Sequence, residues 1–269
     1  MLQGKTLSVI GAGKMGEALI KGFLEAGVVE AGNVVLSDVD AGRLEALKDR
    51  YGVDITGVNT EAIERGDIIL LAVKPQQMGE VLAGAKKSFR EESLIISIAA
   101  GVTTEKISSL LEKDVPVIRV MPNTPALVGE AMSVISRGAY ATDNDIGIAL
   151  ELFSSVGEAV ELSEDLQNQA TAISGSGPAY FFLMTESLVD AAVKAGIDTE
   201  AAKKLVIKTM AGATALLEST GAEPRELREM VTSPGGTTAA ALQVFSKYEF
   251  KSIVQEAVIS AIKRAEELA

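Results

Sequence analysis

The chain has 269 residues, 47% of them apolar, enough to bury one large core or two ordinary ones. Its 25 Lys and Arg stand against 37 Asp and Glu, so a net charge of −12 repels phosphate backbones and anionic lipid, and neither nucleic acid nor a membrane is expected as a partner. With no Cys, His or Trp, disulfides, thiolate nucleophiles, Cys/His zinc sites and histidine acid–base chemistry are excluded.

In chain order, the run TLSVI (6–10) opens a series of short Val- and Ile-rich stretches at 33–37, 67–73, 94–99 and 116–121. Runs this short and this branched predict strands of a parallel sheet buried on both faces. The stretches between them, such as 15–26, 41–51 and 103–111, carry helical periodicity and end near Gly or Pro. This alternation predicts an α/β domain with a doubly wound sheet. The runs 132–136 and 158–162, with a helix over 143–154 between them, extend the sheet.

After Asp165 the strand signals stop, and helices are predicted at 166–173, 178–195, 199–219, 223–231, 236–246 and 248–267. The expected organisation is therefore a dinucleotide-binding domain over 1–164 and an all-helical domain over 165–269. The helix from Pro178, stopped at Gly196, is apolar almost all round. So small a helical domain has little room to bury it, so a partner subunit is expected to cover part of it. No apolar run approaches the roughly 20 residues that cross a bilayer, and the first is cut by glycines and Lys14, unlike a signal peptide. A soluble, cytoplasmic protein is expected.

Gly11, Gly13 and Gly16 form GAGKMG directly after a strand and open a helix, the context that gives this pattern meaning. The first glycine permits the turn, the second lets backbone approach a pyrophosphate, and the third lets helix lie against strand. The helix N-terminus adds amides and partial positive charge. Asp38 closes the second strand, where a carboxylate accepts from the adenine ribose hydroxyls and repels a 2′-phosphate, although Arg43 lies close enough in sequence to soften that repulsion. Asp38 has a second reading, as the cap of the helix that follows. LAVKP (71–75) ends a strand at the carboxyl edge, where such sheets bind ligands; Lys74 there faces either a ligand or solvent. SIAAG (97–101) closes the next strand with small residues that let a flat ring come close.

GAGKMG, LAVKP, SIAAG, RVMPNTPALVG (119–129), SGSGPAY (174–180) and VTSPGGTTAAAL (231–242) occur in the same order in pyrroline-5-carboxylate reductase, the last enzyme of proline biosynthesis, and the chain resembles that family along essentially its whole length. The resemblance implies an N-terminal Rossmann-type doubly wound parallel sheet followed by an all-helical C-terminal dimerisation domain, with five dimers forming a ring in many members. It implies NADH or NADPH as cofactor, held by Ile10, Gly11, Ala12, Gly13, Lys14 and Met15, by Asn59, by Ala72, Val73, Lys74 and Pro75, and by Ile98, Ala99 and Ala100; no metal is called for. It implies a substrate turn in SPGGTT, with Ser233, Gly236 and Thr237 around the carboxylate and the Thr238 hydroxyl near the ring nitrogen. One departure is Asp38, where NADPH-using members commonly carry a hydroxyl or a base; it leans towards NADH.

The turn makes chemical sense on its own. Gly235 and Gly236, hydroxyls and a helix N-terminus fall within a few residues, a combination that captures a small carboxylate without an arginine. Its plainer reading is a cap at Ser233 or Thr237 with the glycines as a hinge. SGSGP either packs the helical domain against the nicotinamide edge or starts the helix at Pro178. Two other functions fit the same plan: a different imine or hydroxy-acid reductase, and a non-catalytic dinucleotide sensor. The first commonly places a Lys or Asp over the nicotinamide early in the second domain, whereas here the first lysine after Asp165 is Lys194, at the far end of its helix. The second needs no second anion pocket.

Overall fold

A computed structural model describes Leu2 and residues 4–268. The chain divides into two compact units, residues up to Ser176 with the C-terminal stretch from Ala261, and Gly177–Ser260. The sheet-bearing unit thus continues through the turns that follow Asp165.

That unit holds an eight-stranded sheet in the order β3-β2-β1-β4-β5-β6-β7-β8: β1 (Leu7–Ile10), β2 (Val34–Ser37), β3 (Asp54–Thr56), β4 (Ile68–Leu71), β5 (Leu94–Ser97), β6 (Val117–Met121), β7 (Ala131–Arg137) and β8 (Gly157–Glu161). The chain order reverses at β1, where β2 lies on one side and β4 on the other, in register Leu7 with Val34 and Ile68. Helices α1 (Lys14–Glu25), α2 (Ala41–Tyr51), α3 (Asn59–Arg65), α4 (Met78–Ala85) and α5 (Thr104–Leu111) follow successive strands, and α6 (Asp143–Ser154) joins β7 to β8. Alternate residues feed two cores. Leu7, Val9, Leu36, Leu70 and Ile96 join Phe23 and Phe153 in one, while Ile10, Val35, Leu71 and Ile95 join Phe89 and Ile107 in the other. Burial on both faces is why the strands read as continuous apolar runs rather than alternating ones.

The fold class is as the sequence predicts, with two refinements. β7 runs antiparallel to β6, while β8 is parallel to β7. Between β6 and β7 lies only a 3₁₀ turn, Thr124–Val128, and a parallel return needs a crossover of a dozen or more residues. The edge strand β3, three residues long, carries no apolar run and goes unseen in the hydropathy pattern.

Helix ends follow capping chemistry. Asp40 caps α2 by accepting from the Arg43 amide at 3.0 Å, and Gly52 ends it in the left-handed region. Thr142 and Asp145 form a reciprocal capping box on α6.

After β8 the chain passes through a short helix, α7 (Gln167–Ala170), into a π turn, Thr171–Gly175. The helices beyond are α8 (Gly177–Lys194), α9 (Thr199–Thr220), α10 (Pro224–Met230), α11 (Thr237–Lys247) and α12 (Phe250–Leu268). Among the described side chains of these five helices only Gly177 and Ala202 are buried. Phe181, Phe182 and Leu183 on α8 are 62%, 65% and 64% exposed, so a single chain gives this unit almost no interior. Among the described residues no helix is long and apolar enough to cross a membrane.

Candidate active site

The GAGKMG turn joins β1 to α1, and each glycine has its own geometric reason. Gly11 sits at φ +101°, and a Cβ there would meet the Ala72 carbonyl oxygen at 2.8 Å. A Cβ on Gly16 would lie 2.6 Å from the Gly11 carbonyl oxygen. Gly13 is different: it is exposed, and nothing lies within 4 Å of where its Cβ would be. Packing therefore accounts for the first and third glycines, while open space beside the second leaves room for an approaching anion. Gly13 is also the N-cap of α1 and supplies no side-chain cap. The first-turn amides at Lys14 and Met15 thus have no partner within the helix, and Lys14 is exposed and Met15 half-buried. These residues fit a dinucleotide pyrophosphate.

The flanking residues sort into groups that can and cannot reach a ligand. Ile10 has no exposed surface, and its side chain lies in the core. Ala12 is also fully buried; its amide donates to Asp38 Oδ2 at 2.7 Å and its carbonyl accepts from Arg43 Nε. Asp38 therefore does not cap α2, a task that falls to Asp40; its other oxygen accepts from the Asp40 amide at 3.0 Å. Half-buried at the end of β2, the Asp38 carboxylate braces the glycine turn and keeps lone pairs for a further donor. Asn59 opens α3, and its Oδ1 accepts from Ser37 Oγ at 2.7 Å, which fixes its amide beside the same strand end.

At the carboxyl edge, β4 ends at Leu71, earlier than the apolar run suggests, and Ala72 donates to the Ile10 carbonyl at 2.8 Å. Val73 is half-buried, Lys74 exposed, and Pro75 begins a 3₁₀ turn. After β5, Ile98 is half-buried and Ala100 exposed, but Ala99 is 4% exposed and packs in the core. Of these small residues, Ala100 is the one open to a flat ring.

Asn123 was not singled out by the sequence. It is buried, its Nδ2 donates to the Ser174 carbonyl at 3.0 Å, and its Oδ1 accepts from the Met132 amide at 3.0 Å. It ties the start of β7 to the π turn. SGSGP thus does more than begin α8: Ser174 and Gly175 belong to the π turn, and the Ser176 amide donates to the Thr171 carbonyl at 2.9 Å. α8 begins at Gly177, which makes Pro178 its second residue. An asparagine in a loop looks like turn chemistry in sequence; only its burial marks it out.

In the helical unit, SPGGTT forms a turn whose Gly236 amide donates to the Ser233 carbonyl at 3.0 Å. Gly235 takes φ +71°, the left-handed region that disfavours side chains. A Cβ on Gly236 would fall 2.4 Å from Ser233 Oγ. Gly236 is the N-cap of α11 and makes no side-chain cap, so neither Ser233 nor Thr237 fills that role. The first-turn amides of α11 are thereby left for a ligand or water. Ser233 and Thr237 are exposed and Thr238 is half-buried.

Comparison with known proteins bears on the whole chain. Residues 164–268 match the family described as pyrroline-5-carboxylate reductase dimerisation, and residues 6–101 match the family described as NADP oxidoreductase, coenzyme F420-dependent. A pyrroline-5-carboxylate reductase of Methanosarcina acetivorans is 40% identical, with 99% of each chain covered. That of Escherichia coli K12 is 36% identical, with 98% of each covered. Among solved structures, a pyrroline-5-carboxylate reductase of Coxiella burnetii superposes with a TM-score of 0.94 at 32% identity and 98% coverage of both chains. The Plasmodium falciparum pyrroline carboxylate reductase, solved with NADP bound, gives 0.88 at 32% identity, covering 99% of this chain and 98% of that one.

Proposed function

The chain belongs to the pyrroline-5-carboxylate reductase family, and we propose how its parts divide that family's reaction, the reduction of 1-pyrroline-5-carboxylate to L-proline. It is an NAD(P)H-dependent oxidoreductase acting on a CH–NH group. When bound, the reduced nicotinamide supplies the hydride for the imine carbon.

The glycine turn after β1 holds the pyrophosphate on the amides of Gly13, Lys14 and Met15, and Asp38 and Asn59 take the adenosine ribose. Residues 72–75 and 98–100 line the carboxyl edge of the sheet. Asp38 favours NADH, because a 2′-phosphate beside that carboxylate meets like charge. The SPGGTT turn takes the substrate carboxylate on its open amides, aided by the Ser233 and Thr237 hydroxyls, and Thr238 Oγ1 orients the ring nitrogen. Support for this reading lies in one feature above the rest: the N-terminus of α11 follows two constrained glycines and has no side-chain cap. A cyclic imine is basic enough to enter already protonated, so a chain without histidine need not supply a strong acid. Its residues contribute alignment, which is worth several orders of magnitude when reacting atoms are held in near-attack geometry.

The chain acts as a homodimer through its helical domain, and five dimers form a ring; it works in the cytoplasm on a small-molecule substrate, with no nucleic acid or membrane as partner. The direct test follows the near-ultraviolet absorbance of reduced nicotinamide with pyrroline-5-carboxylate. Substrate-dependent oxidation is expected, faster with NADH. Cofactor binding without oxidation identifies a sensor instead, and a strong preference for NADPH overturns the role given to Asp38.

A further inference from the structure

Behind the glycine turn lies a cluster of four side chains. Glu17, on the first helix, accepts from Arg43 Nη2 at 2.9 Å through one carboxylate oxygen. Through the other it accepts from Arg50 Nη1 at 2.6 Å and from the Tyr51 hydroxyl at 3.3 Å. Glu17 is 23% exposed and Arg43 31%, so this pair is better shielded than a typical surface bridge. Arg43 also donates through Nε to the carbonyl of Ala12, the residue whose amide is bound by Asp38. A carboxylate and a guanidinium thus hold the two peptide groups that flank Ala12, one through its N–H and the other through its C=O, at the strand end where the ribose hydroxyls are expected.

Arg43 is the cation on this side of the turn that a 2′-phosphate would recruit, since a guanidinium offers a planar fork matched to phosphate oxygens. Here Nε and Nη2 of that fork are already engaged by Ala12 and Glu17. Counting Asp38, two carboxylates offset the guanidiniums of Arg43 and Arg50 while Glu17 keeps its charge; without it the group becomes net cationic. Building on the assignment of the glycine turn to a dinucleotide, we propose that Glu17 is a specificity-determining positioning residue: by holding Arg43 against Ala12, it withholds that guanidinium from a 2′-phosphate and makes the site select the adenosine half that lacks one.

The test is calorimetric titration of the full-length protein with adenosine 5′-monophosphate and adenosine 2′,5′-bisphosphate, which reads the nucleotide site without turnover. The wild type should bind the monophosphate more tightly. Glu17→Gln should raise bisphosphate affinity by about tenfold, the size of one charge-assisted hydrogen bond, and leave monophosphate affinity within about twofold. Adding Arg43→Gln should erase the gain, and Glu17→Asp, which keeps the charge, should retain the wild-type ratio. Arg43→Gln alone gives an independent check should Glu17→Gln fold poorly: bisphosphate affinity should stay within about twofold, and an order-of-magnitude fall would mean that Arg43 already serves the phosphate, overturning the proposal. Equal shifts for both ligands in Glu17→Gln, or none, would also overturn it while the dinucleotide assignment stands. If the wild type binds neither nucleotide, that assignment fails and the proposal fails with it.

Discussion

Thr238 and Asn123 carry different kinds of weight. In the reading proposed above, Thr238 Oγ1 of the SPGGTT turn meets the substrate's ring nitrogen and would act by orientation rather than acidity. Thr238→Ala should therefore lower turnover by roughly one to two orders of magnitude, the range for a positioned proton-handling group, whereas Thr238→Ser should retain most of it. Steady-state kinetics on both variants checks this, and unchanged turnover in the alanine variant removes Thr238 from the site. Asn123, by contrast, satisfies two backbone groups where water has little access. Asn123→Ala leaves both short of a partner, and urea unfolding should register a loss of about 2–3 kcal/mol. Asn123 could not be ranked from sequence, because an asparagine in a loop is common and mostly bland, whereas Thr238 entered through the family resemblance. Only its burial distinguishes Asn123.

At the scale of elements, the start of β4 is tied to β1 by a charge. Asp67 Oδ2 accepts from the Thr6 amide at 2.9 Å, and its Oδ1 accepts from Arg90 Nη2 at 3.0 Å. The Thr6 amide holds the Asp67 carboxyl below the usual carboxylate range, opposed by burial and aided by Arg90. A lowered folded pKa means that the unfolded chain takes up the proton first as pH falls. The stabilisation is therefore complete above the unfolded value of about 4 and is lost as pH drops through the folded one. Chemical denaturation across that window should show stability falling with acid, and Asp67→Asn should flatten the slope; an unchanged slope would assign the acid sensitivity to other carboxylates. Most elements were readable in advance, because strands buried on both faces must be short branched runs and the helices between them must be amphipathic. The direction of β7 was not, since hydropathy carries no polarity of the chain. Nor was the cluster around Glu17, whose partners lie one helix away in sequence and meet only through packing.

For the whole molecule, the contrast between the two units decides how it must assemble. Nearly every buried apolar side chain belongs to the sheet-bearing unit, while α8 to α12 expose phenylalanines and leucines that a lone chain does not cover. An exposed apolar surface of that kind marks an interface, and the dimerisation family matched over residues 164–268 identifies its occupant as a second copy. Folding and association of the helices should then be linked, so the melting temperature should rise with protein concentration. Differential scanning calorimetry over a hundredfold dilution series tests this. Phe182→Glu, at an exposed position of α8, should yield monomers by light scattering with a markedly lower melting temperature. A concentration-independent melt would mean that the helical unit stands alone.

A polypeptide whose last third has almost no interior until it meets its twin is vulnerable just after synthesis, when copies are scarce. Proteases can find those helices in the interval before an encounter, so the amount of enzyme a cell retains should rise more steeply than the rate at which it is made.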